Sequence, residues 1–131
     1  MNEEKANYIA QWIAKANQDC LAVEILLKDD PLSIAGVIGF HCQQSIEKFL
    51  KAFLVLNDFD FSRTHNLEEL KDKCSEYDSD FLMLNYLDLT DYAVNFRYPD
   101  GEYIPEMKEI ETYYYLVQKT KELVLSKIKI D

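Results

Sequence analysis

The sequence predicts an all-α protein, an antiparallel up-and-down bundle of four long helices plus one short helix. Three observations predict it. Apolar residues recur at spacings of three and four along most of the chain, the period of a helix with a buried face. No segment shows the strict alternation of a half-buried strand. The 131 residues hold only three Gly and three Pro with 48% hydrophobic residues, which suits packed helices better than many short strands joined by turns. The length predicts one domain over 1–131, large enough to bury a core without staples.

The first helix spans about Glu3 to Lys28, with Tyr8, Ile9, Trp12, Ile13, Ala16, Cys20, Val23, Leu26 and Leu27 at its apolar positions. Asp29-Asp30-Pro31 ends it, because the residue before a proline is pushed out of helical geometry. A second helix starts near Pro31 to Ser33 and runs to about Asn57, where Gly36 and Gly39 permit close approach to the first. Asp58 to His65 is a loop with apolar plugs. Thr64 or Asn66 caps a short third helix, which ends at Lys73 or Tyr77 and turns Leu67 and Leu70 inward.

Ser79 or Asp80 opens a fourth helix to about Phe96, carrying Phe81, Leu82, Leu84, Leu87, Leu89, Ala93 and Val94. Tyr98-Pro99-Asp100-Gly101 breaks it with a turn. The last helix follows Pro105 and reaches about Ile128, with Met107, Ile110, Tyr114, Leu116, Val117, Leu123 and Val124 as core candidates. Short connections make successive helices antiparallel neighbours.

The second helix is the unusual one. Ile34, Ile38, Cys42, Phe49, Ala52, Phe53 and Leu56 line one side, and the other carries His41, Gln43, Gln44, Glu47, Lys48 and Lys51. Phe40, Leu50, Leu54 and Val55 lie among those polar groups. A helix apolar nearly all round is buried nearly all round. Its polar stripe therefore belongs in a subunit interface, a ligand groove or a satisfied interior network.

The net charge of −10 argues against broad attraction to nucleic acid and leaves room only for a local basic patch. Arg63 and Arg97 are the only arginines, so each is a candidate for a bidentate phosphate or carboxylate contact. Cys20, Cys42 and Cys74 are far apart and unpaired in pattern, which predicts small apolar residues in a reducing compartment and no metal site. The acidic opening Met1-Asn2-Glu3-Glu4-Lys5 is unlike a secretory signal, and no apolar run approaches membrane-spanning length. A cytoplasmic protein without membrane contact is expected, and its seven Phe and nine Tyr point to self-association.

Three ordered motifs bear on function: Gln43-Gln44-Ser45-Ile46-Glu47-Lys48-Phe49-Leu50-Lys51-Ala52, then Thr64-His65-Asn66-Leu67-Glu68-Glu69-Leu70, then Asn95-Phe96-Arg97-Tyr98-Pro99-Asp100. Together with Trp12, Ala16 and Asp19 in the first helix, they resemble the HEPN domain family, named for a nucleotide-binding domain of higher eukaryotes and prokaryotes. The resemblance runs from about Tyr8 into the last helix. It implies a helical bundle that commonly dimerises. It also implies one of two roles: a binding subunit that accompanies a separately encoded minimal nucleotidyltransferase, or a ribonuclease of the toxin-antitoxin kind.

The ribonuclease branch carries an Arg followed, after four to six intervening residues, by a His at a helix start. Arg97 fits the first position, but Glu102, Tyr103 and Ile104 stand where His would fall. Without that His, no group titrating near neutral pH is expected beside the arginine. Binding is therefore expected ahead of metal-independent RNA cleavage, with a purely structural dimeric adaptor as a third reading. The expected ligand-binding set is Arg97, His41, Gln44, Glu47, Lys48, Lys51, Asn95, Tyr98 and Tyr103, with Gln43 beside it. Lysines and arginine would meet phosphate, amides would read a base edge, and Glu47 would pair with Arg97 if their helices are neighbours. His41 is equally a hydrogen-bonded core or interface residue, and His65 a residue that fixes the turn before the third helix. No residue is assigned as catalytic unless Arg97 serves a ribonuclease, and no cofactor is expected.

Overall fold

A computed structural model describes residues 1–61, 63–86, 89–90 and 106–128, all of them in helices, 3-10 turns or connections. Helix α1 spans Glu3–Leu26, α2 Ala35–Leu56, α3 Leu67–Tyr77 and α4 Met107–Lys127. The elements are helical throughout, with no strand among the described residues.

Local chemistry sets the helix ends. The Asn2 side chain accepts the Lys5 N–H at 2.8 Å to open α1, and Asn66 accepts the Glu69 N–H at 3.1 Å to open α3. Each satisfies one of the donors a first turn leaves without a partner. At α4 the Glu109 carboxylate accepts the Glu106 N–H at 3.2 Å. Asp30 turns the chain after α1 in the left-handed region, at φ 46° and ψ 59°, which Asp tolerates better than most residues. A 3-10 turn over Pro31–Ile34 then leads into α2.

Helices α1 and α2 are antiparallel. His41 meets Asp19, Ser45 donates to the Ala16 carbonyl at 2.9 Å, and the Lys51 ammonium lies over the Trp12 ring, so the α2 numbering rises as the α1 numbering falls. Helix α2 is the centre of the bundle and packs on α1, α3 and α4. Its apolar side chains Ile38, Cys42, Ile46, Phe49, Leu50, Phe53 and Leu54 join Ala16, Val23, Leu70, Cys74, Ile110, Tyr113 and Val117 in one buried core. The Phe53 and Phe81 rings are 4.5 Å apart between centroids, a contact worth about 1 kcal/mol beyond the area it buries.

One expected element begins differently. In place of a long helix opening at Ser79 or Asp80, Ser79–Met83 is a 3-10 turn and Leu84 is extended at φ −86° and ψ 130°. Side chains of α3 take over the backbone bonds there. The Lys71 ammonium donates to the Leu84 carbonyl at 2.9 Å, and Glu68 accepts the Tyr86 N–H at 3.1 Å. The continuation of that element, from 91 to 105, lies outside the described residues. Leu82, expected on an apolar helix face, is exposed.

Candidate functional site

The polar stripe of α2 divides into a buried half and a half-exposed edge. Gln43, Glu47 and Lys51 recur every four residues and are buried, at 0%, 4% and 5% exposure. His41, Gln44 and Lys48 fall on the adjoining face and keep partial access to solvent.

The buried half is a closed hydrogen-bond network. Glu47 Oε2 accepts from the Lys51 ammonium at 3.0 Å, while Oε1 accepts from Gln43 Nε2 at 2.9 Å and from His65 Nδ1 at 2.8 Å. An acceptor carboxylate requires the proton of the His65 ring to sit on Nδ1. The second N–H of Gln43 reaches the His65 carbonyl at 3.2 Å, and Gln43 Oε1 accepts from Gln44 Nε2 at 2.7 Å. The ring centroids of Trp12 and Phe61 lie 5.5 and 5.3 Å from the Lys51 ammonium, so aromatic faces meet the part of that charge that Glu47 does not. A buried charge of each sign is thus neutralised and hydrogen-bonded, the condition under which burial is tolerated.

The half-exposed edge is anchored across the helix interface. Asp19 of α1 accepts from His41 Nδ1 at 2.9 Å through one oxygen and from the Lys48 ammonium through the other. The Asp19 side chain keeps 12% exposure, against 30% for His41 and 23% for Lys48. Asp19 fixes the two basic groups from below, and both still meet solvent. Its burial is consistent with its spacing: Asp19 lies three residues from Ala16 and four from Val23, on the apolar side of α1. That spacing was the available signal for a charge with a partner, and sequence reasoning gave Asp19 no such role.

Lys51 and Glu47 are each other's partner, so the pairing expected between Glu47 and Arg97 is not needed to neutralise Glu47. Asn95, Arg97, Tyr98 and Tyr103 lie outside the described residues. His65 does hold the turn before α3, and it does so through the buried carboxylate of α2. Thr64 supports the same turn, accepting the Asn66 N–H at 3.1 Å. Among the described residues no group of His, Cys, Asp and Glu has the geometry to hold a metal ion. No described helix is long and apolar enough to cross a membrane.

The class these features define is an all-helical domain centred on α2, with a Gln43–Glu47–Lys51–His65 network on one part of that helix and a half-exposed polar edge on another. The chain belongs to the HEPN domain family, whose model matches residues 9–129, nearly its whole length. At the level of the family this supports a nucleotide- or RNA-related role. Comparison with curated proteins and with solved structures gives no match.

Proposed function

We propose that the protein is a nucleotide- or RNA-phosphate-binding subunit, one cytoplasmic domain that works as a homodimer beside a separately encoded minimal nucleotidyltransferase. The observation that carries the reading is the Asp19 anchor, which presents His41 and Lys48 at a solvent edge in fixed positions. Preorganised donors bind an anion without the entropy cost of ordering long side chains first. Gln44, next to them on α2, adds an amide suited to a base edge.

Lys51, Glu47 and Gln43 are the platform under that edge. Their charges and hydrogen bonds are consumed internally, so they hold the shape of the site and leave ligand contact to His41, Gln44 and Lys48. Arg97, with Asn95, Tyr98 and Tyr103 around it in sequence, supplies the strong phosphate contact. Asp19 cancels much of the positive charge of Lys48, and a net phosphate site therefore depends on that arginine. The partner enzyme would contribute the catalytic carboxylates and metal.

Equilibrium binding of a labelled nucleoside triphosphate and of a short single-stranded RNA tests this reading. Wild type is expected to bind one of them, and Arg97→Ala and Lys48→Ala each to weaken binding about tenfold or more. Equal binding by wild type and both variants would remove these residues from the site.

A further inference from the structure

The connection between α2 and α3 bears two open cavities away from the half-exposed edge. One, of 790 Å³, lies between the first turns of α1 and the end of α2, with Glu4, Tyr8, Asp58 and Asp60 in its walls. The other, of 480 Å³, lies against α3, with Glu69, Asp72 and Glu76 in its walls. Phe59 and Phe61 line both, so the cavities form one groove crossed by an aromatic ridge.

The charge of this groove is one-sided. Its lysines are already paired, Lys5 with Asp58 at 3.0 Å and Lys73 with Glu76 at 2.8 Å. Glu4, Asp60 and Asp72 have no cationic partner among the described residues, and all three are exposed. Phosphate is repelled here, which separates the groove from the site proposed above.

The ridge already accepts ammonium groups. Lys73 Nζ stands 4.4 Å from the Phe59 centroid and Lys51 Nζ 5.3 Å from the Phe61 centroid. Aromatic faces beside unpaired carboxylates are the chemistry that takes a Lys or Arg side chain. Two cavities on either side of a ridge suit cations carried along one extended chain better than a single small amine.

We infer that this groove docks a basic peptide segment of a partner protein, laid across Phe59 and Phe61 with its Lys or Arg side chains in the two acidic cavities. The inference stands independently of the phosphate site.

An amide-resolved NMR titration of the whole chain tests it, using a capped peptide that alternates Lys and Arg with Leu, the same peptide with Gln at each basic position, and spermine. The basic peptide is expected to shift the amides of Phe59, Asp60, Phe61 and Asp72, and the Gln peptide to leave them unmoved. Asp60→Asn with Asp72→Asn should weaken binding about tenfold, and about 1 M salt should abolish it. These exchanges alter exposed carboxylates, so an unchanged spectrum of the free variant confirms its fold. Shifts on another face, unaltered affinity in the double variant, or spermine shifting these amides while the peptide does not, would each overturn the proposal.

Discussion

His65 Nδ1 lies 2.8 Å from Glu47 Oε1, a contact that ties the turn before α3 to the buried centre of α2. Glu47 simultaneously holds Lys51 at 3.0 Å, so one carboxylate joins a loop, a helix and a buried cation. Removing it strands Lys51 between Trp12 and Phe61.

Glu47→Ala is therefore expected to lower stability by about 3 kcal/mol, the usual cost of leaving a buried charge without its partner. Adding Lys51→Met should recover part of that loss, because Met fills the same space without a charge. Denaturant unfolding of the two single variants and the double variant measures the coupling, and simple additivity would show that the pair does not act as a unit.

The Ser45 hydroxyl joins α2 directly to the backbone of α1 at Ala16, and both residues are buried in that interface. Ser45→Ala should cost about 1 kcal/mol through loss of the 2.9 Å hydrogen bond to the Ala16 carbonyl, and Ser45→Leu should cost more by forcing the helices apart. Thermal or denaturant unfolding gives both values, and Leu costing less than Ala would contradict that buried contact.

The end of α4 is tethered by Lys127, whose ammonium is 2.8 Å from Asp78 and 2.7 Å from Asp80. Hydrogen bonding to Lys127 holds the Asp78 carboxyl below its ordinary value, and the bonds to Asp78 and Asp80 raise the Lys127 ammonium above its own. The Asp78 contribution to stability is present above its unfolded pKa and is lost as pH falls through the lowered folded value. The Lys127 contribution is present below its unfolded pKa and is lost as pH rises through the raised folded value. The difference in melting temperature between wild type and Lys127→Met should therefore hold steady through neutral pH and shrink below about pH 4. A difference independent of pH down to full protonation would rule out the tether.

Cys20, Cys42 and Cys74 are buried free thiols. Burial pushes Cys74 up to about 12 and raises Cys42 as well, so neither is a thiolate at neutral pH. A chromogenic disulfide reagent should titrate these thiols slowly in the native protein and all three at once in denaturant. Rapid native labelling of Cys42 or Cys74 would show that the core opens locally.

Much of this arrangement was legible in the chain itself. Apolar spacing and caps located α1, α2, α3 and α4 to within a few residues, because local signals and packing agree there. The exception is Ser79–Met83, where Phe81 and Leu84 do keep a helical spacing and are buried. Lys71 and Glu68 bind the Leu84 carbonyl and the Tyr86 N–H instead, and such long-range bonds leave no local trace in sequence. The polar stripe of α2 was equally visible, but its three readings could be separated only by partners: Glu47 with His65 and Lys51, and His41 with Asp19. Those partners sit 18 and 22 residues away for the two histidine contacts, beyond the reach of any periodicity.

The most direct test of the proposed function is incubation of end-labelled single-stranded RNA with the purified protein in chelator, with Arg97→Ala prepared identically. A binding subunit leaves the RNA full-length with wild type and with Arg97→Ala alike. Cleavage by wild type that disappears in Arg97→Ala would contradict a binding subunit and make the protein a ribonuclease.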